Sequence, residues 1–143
     1  MTKVYLMFIF ISAILICTTC EKEKSAATPI QIITDKEGYS TEEIIKVEVT
    51  NISDSLAMYY KCSSYEGIPT NIYKLEGNSW GVYWAPICDG YSSFCCLKFL
   101  AGESYNDTLD VVFNKGTYRL EYQFIVRPSN EYESFFSNSF SVE

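Results

Sequence analysis

The sequence predicts an all-β protein: an antiparallel sandwich of seven or eight strands over residues 29–143, behind a cleaved N-terminal signal. Three observations carry this. Ile45, Val47 and Val49 alternate with Lys46, Glu48 and Thr50, so one face of that stretch is apolar and the other polar. Tyr118, Leu120, Tyr122 and Phe124 repeat the same period of two. Between such runs lie clusters of Gly, Asn, Asp and Ser, and no stretch carries a convincing helical period.

Taken in order, PIQIIT opens the domain and EIIKVEVTN follows as the clearest strand. Asn51, Ser53 and Asp54 mark a turn into SLAMYYKC. TNIYKLEGNSWGVYW reads as a hairpin with Gly77 and Asn78 at its bend. In its second arm, alternation puts Trp80 and Trp84 on one face and Tyr83 on the other. TLDVVF is expected to alternate Leu109, Val111 and Phe113, and GTYRLEYQFIV follows as a long strand. FFSNSFSVE closes the domain with Phe136, Phe140 and Val142 on one side. Short strands at this spacing, rich in Val, Ile, Tyr and Phe, favour a sandwich or barrel.

Gly116-Thr117-Tyr118, a turn glycine leading a tyrosine into a late strand, resembles the tyrosine corner of immunoglobulin-like sandwiches. The cysteine that follows such a tyrosine in immunoglobulins is absent, since position 120 is Leu. KEGYSTEEIIKVEVTNISD, the central tryptophan segment, LAGES and KGTYRLEY, in that order, resemble bacterial immunoglobulin-like lipoprotein domains of the intracellular proteinase inhibitor type. The resemblance implies the fold, and proteinase inhibition as one activity. No stretch identifies the exposed loop that an inhibitor would present.

The N-terminus predicts the compartment. Lys3 precedes Val4 to Ile16, a run whose one strongly polar member is Ser12. As a helix that run spans about 20 Å, short of the roughly 30 Å hydrocarbon core. A positive start, a short apolar run and small residues beyond it are the layout of a cleaved signal. Cys17 and Cys20 follow at C-x-x-C spacing. A redox pair of that spacing needs a βαβ context, and zinc needs further ligands, usually a second such pair. The chain has neither, and no histidine. The stretch resembles a bacterial lipoprotein signal, which implies that the first mature residue is a lipid-modified cysteine. Cys20, preceded by Cys17, Thr18 and Thr19, is the better candidate; Cys17, preceded by bulky Ile16, is the second choice. Glu21, Lys22, Glu23 and Lys24 resemble the surface-export signals of Bacteroidetes-type lipoproteins, and on composition residues 20–28 are a charged tether. The expected location is therefore the bacterial cell envelope, on the outer membrane, with periplasmic and surface faces both open.

Removing residues 1–19 of the 143 leaves 124, enough for one domain. The removed piece carries only Lys3, so the formal charge moves from −7 to −8. With no basic cluster, nucleic acid is not an expected partner. Membrane contact is expected through the N-terminal lipid instead. Cys62, Cys88, Cys95 and Cys96 remain, an even number that in an exported chain reads as two disulfides with three possible pairings. Adjacent Cys95 and Cys96 are expected to take different partners. Four-thiolate metal binding is the alternative, and it lacks the two C-x-x-C knuckles it usually uses.

No nucleophile–base pair, phosphate loop or metalloprotease motif is present, so no enzyme activity and no cofactor are expected. The acidic residues are expected at turns and on outward faces. The chain is dense in aromatics, with 12 Tyr, 9 Phe and 2 Trp. Trp80, Tyr83, Trp84 and Tyr91 are the candidate ligand-binding residues for a glycan or protein, against the alternative that they pack the core. The long connection APICDGYSSFCCLKFLAGE is the expected recognition surface. The resulting expectation is a lipid-anchored, non-catalytic binding or structural module, with a proteinase inhibitor as the alternative.

Overall fold

The computed structural model describes residues 28–60, 69–86 and 96–143, with Tyr60 and Cys96 described by their backbone alone. The predicted signal, with Cys17, tether residues 20–27, with Cys20, and Cys62, Cys88, Tyr91 and Cys95 lie outside the described residues.

The chain forms an all-β, two-sheet sandwich. Its strands are β1 (Ile30–Thr34), β2 (Gly38–Tyr39), β3 (Ile45–Asn51), β4 (Ala57–Tyr60), β5 (Asn71–Glu76), β6 (Ser79–Trp84), β7 (Cys96–Phe99), β8 (Ser104–Leu109), β9 (Gly116–Val126), β10 (Glu133–Phe136) and β11 (Phe140–Val142). The smaller sheet is antiparallel in the order β1-β3-β8. The larger one is organised around β9, whose 11 residues outlast any neighbour. On one flank β5 pairs its first half and β4 its last residues; on the other, β11 and β10 divide it likewise. Beyond these lie β6 against β5, β7 against β4, and β2 parallel to β11.

The period-two residues behave as the sequence predicts. Ile45, Val47 and Val49 on β3, and Tyr118, Leu120, Tyr122 and Phe124 on β9, are buried between the sheets. Each such side chain contributes about 1.5–3 kcal/mol of burial. Many of the aromatics are spent here. Phe99 stacks on Phe124 at 5.7 Å and Tyr118 on Phe140 at 5.9 Å, with Tyr59 and Tyr105 stacked at 5.6 Å toward one end.

The β5–β6 hairpin turns at Gly77-Asn78 as expected. Gly77 has φ +62° and Asn78 has no positive φ, the pattern of a type II′ turn, whose twist matches the flanking strands.

Four local expectations fail. The described residues hold eleven strand segments, because the flanks of β9 are interrupted and β2 and β7 carry too little alternation to announce themselves. Phe135, rather than Phe136, faces the core. The chain jogs after Phe136, where Ser137 receives the Leu120 N–H on its Oγ and donates its own N–H to the Leu120 carbonyl, so β11 restarts in a new phase. Strand β8 ends at Leu109, and Val111 to Phe113 continue as irregular chain. The end of the long connection is itself strand β7 rather than loop.

Polar side chains tie the layers. Thr34 of β1 donates its N–H to Asn138 Oδ1 at 3.0 Å and accepts from Asn138 Nδ2 at 2.8 Å, joining the smaller sheet to the β10–β11 jog of the larger.

Candidate functional site

Trp80, Tyr83 and Trp84 do not divide as simple alternation requires. Ile72 pairs with Trp84 but its neighbour Tyr73 pairs with Val82, so Tyr83 is an extra residue, a β-bulge in β6. The bulge resets the phase. Tyr83 stacks on Phe113 at 6.0 Å and meets Tyr118 edge-on at 5.1 Å, while Trp84 packs against the core. Trp80 alone of the three stays on the outer face. Two of the candidate binding residues are thus packing residues.

The outer face of the larger sheet gathers a different set. Register places Tyr73 opposite Arg119 and opposite Val82, and Phe136 opposite Glu121. All of these alternate with buried neighbours, so they share the solvent side of the sheet. The Arg119 guanidinium lies 4.3 Å from the Phe136 ring centre, 4.5 Å from Trp80 and 5.5 Å from Tyr73. Such stacking is worth about 0.5–2 kcal/mol. Val82 and Phe136 remain 60% and 42% exposed, so the row is a surface feature and not a second core.

Beside it, Glu121 is buried although β9 points it outward. Its Oε2 accepts from Asn71 Nδ2 at 2.6 Å and from Tyr73 OH at 3.0 Å, and its Oε1 from Ser134 Oγ. Burial raises its pKa, but the donors on Ser134, Asn71, Tyr73 and Gln123 outweigh that and hold the carboxyl below the usual 4.5. Glu121 is therefore an ionised cross-link of β5, β9 and β10, with its oxygens engaged.

The second buried acid, Asp107, is on the inner side of β8. It accepts from Tyr122 OH at 3.0 Å and from the Thr108 N–H at 2.7 Å. Here burial dominates and its pKa is raised. Asp107 and Glu121 correct the expectation that the acids are all solvated; the first was detectable, since it sits two residues before core-facing Leu109. Asp107 lies on the inner side of the smaller sheet and Glu121 on the outer face of the larger one, so they do not form a paired-carboxylate centre.

Among the described residues no group of three or more Cys, Asp or Glu could hold a metal ion, and no helix is long and apolar enough to cross a membrane. Arg119 and Phe136 were missed at the sequence level. Arg119 occupies an outward position of β9, where a charge reads as solvated, and alternation groups Phe136 on one side with Phe140 and Val142. No protein-family model matches the chain and no curated protein matches it.

Proposed function

We propose that the protein is a non-catalytic, lipid-anchored envelope module of immunoglobulin-like architecture that binds a glycan on the outer face of its larger sheet. The observation that carries the reading is the row of Trp80, Tyr73 and Phe136 around Arg119, half-buried to exposed and aligned across four strands. Aromatic rings of this kind offer flat apolar surface at small entropic cost, which suits the C–H faces of sugar rings. The row is a handful of side chains, far from the area of roughly 800 Å² per partner that a stable protein interface uses. Support for the anchor comes from Lys3, the apolar run Val4 to Ile16 and Cys20 after small residues. Support for the architecture comes from the parallel pairing of β2 with β11 and from the Tyr118 hydroxyl bond to the chain upstream.

The test is a glycan array probed with the full chain in detergent, beside Trp80→Ala and Phe136→Ala. Binding that both substitutions abolish, with unfolding midpoints near the parent's, is the expected outcome. Binding that survives both would move the site elsewhere, and an array without a single bound glycan would end the reading.

A further inference from the structure

Packing accounts for the rings of the outer face but leaves its cation over. Trp80 belongs to β6 and Phe136 to β10, on opposite flanks of β9, so the Arg119 guanidinium has a ring on either side. What remains for hydrogen bonding is its edge. On that edge Nε is buried without a partner, and no side-chain bond among the described residues engages the guanidinium, which belongs to a half-buried residue. No carboxylate among the described residues pairs with Arg119, in a chain with 18 acidic against 11 basic residues. The nearest acid along the strand face, Glu121, is engaged by Asn71, Tyr73 and Ser134. Stacking thus fixes the orientation of this guanidinium without neutralising it.

A guanidinium with covered faces and a free end accepts a planar two-oxygen anion in its own plane. We infer that this face selects acidic glycans, with a uronic-acid carboxylate bonded to the Arg119 Nη groups and the sugar ring laid along the exposed side of Phe136. The inference rests on the glycan-binding reading above. It carries an unusual salt dependence. The protein's net charge of −7 repels a polyanionic chain at long range, and salt screens that repulsion within about 10 Å. The short contact at Arg119 is shielded by its rings. Moderate salt therefore leaves affinity unchanged or improves it, whereas an ordinary basic patch loses affinity.

The full chain in detergent is titrated with oligomers of galacturonate, mannuronate and glucuronate-containing sugars, each beside its carboxyl-reduced counterpart. The acid forms are expected to bind about tenfold or more tighter, the size of one charged hydrogen-bonded contact. Arg119→Gln erases the difference, and Arg119→Lys, which keeps charge and stem but loses the fork, retains only part of it. Unfolding midpoints separate a binding defect from a folding one, and the lysine variant decides if the glutamine variant does not fold. Equal affinity for acid and reduced forms, a preference that survives Arg119→Gln, or a steep loss of affinity with salt overturns the inference and leaves glycan binding standing. No binding of any sugar, neutral or acidic, removes both.

Discussion

The Tyr118 hydroxyl donates to the backbone carbonyl of Asn114, four residues upstream, at 2.6 Å. This bond fastens the irregular chain after β8 to the start of β9, where Tyr118 packs between Phe113 and Phe140. Burial and the neighbouring Tyr83 push the hydroxyl's pKa up to about 12, so it remains a donor over any working pH. Tyr118→Phe keeps the ring and deletes the bond. We expect a loss of about 0.5–1.5 kcal/mol in urea unfolding with an unchanged m-value. An unchanged midpoint would mean that this corner holds by ring packing alone.

Asn51 ends β3 fully buried, with every polar atom engaged. Its Nδ2 donates to the carbonyls of Ser55 at 2.8 Å and Phe99 at 3.0 Å, and its Oδ1 accepts from the Ser53 N–H and hydroxyl. Asn51-Ile52-Ser53 fits an N-glycosylation pattern, but a side chain so enclosed offers no nitrogen to modify. Asn51→Asp turns the two donors into acceptors facing carbonyls. The expected cost is about 2–4 kcal/mol at neutral pH, relieved in part in acid, where a protonated aspartate regains one donor. Denaturant melts at two pH values read both effects; equal losses at the two would contradict the donor argument.

How much of this was legible follows from where phase is kept. Residues 45–50 and 118–124 hold period two without interruption, and their buried faces could be read directly. At Tyr83 a bulge inserts one residue, and at Ser137 a jog restarts the strand, so alternation counted through either point assigns Trp84 and Phe136 to the wrong side. Neither interruption is marked by a glycine or proline. Strand β7 escaped because Leu97 and Lys98 are both exposed beside buried Phe99, with no alternation, and its pairing with β4 is long-range. The outer face was illegible for a topological reason: Trp80, Arg119 and Phe136 meet only because the β5–β6 hairpin and β10 lie on opposite sides of β9 at matching heights. Single-strand patterning carries no such information.

Glu121 makes stability depend on pH with a definite sign. Its folded pKa lies below the usual 4.5, so its contribution is present above that value and is lost as pH falls through the lowered one. Glu121→Gln keeps an acceptor but not the charge, and should cost about 1–3 kcal/mol near neutral pH. The gap between parent and variant should close as the pH falls through that lowered pKa. Urea midpoints measured along that range provide the check. A gap that widened in acid would show that the carboxyl is held protonated instead.

The cysteines supply one experiment in which anchoring and oxidation test each other. If the signal is cut before Cys20, Cys17 leaves with it and four cysteines stay in the domain besides the acylated one. The mature chain should then incorporate labelled fatty acid, lose the label in Cys20→Ser and keep it in Cys17→Ser. Its intact mass should show no alkylation before reduction and four alkyl groups after it, because a lipid thioether resists reductant while disulfides do not. Label that follows Cys17 instead would leave five cysteines in the domain, an odd number that disulfides cannot exhaust. A free thiol in the unreduced protein therefore reports the wrong cleavage point as well as a missing bond. Two disulfides at loop-entropy values of about 2.5–4 kcal/mol each would also lower the unfolding midpoint sharply on reduction. A midpoint that reductant leaves unmoved would argue that the sandwich of β3, β8 and β9 holds without them.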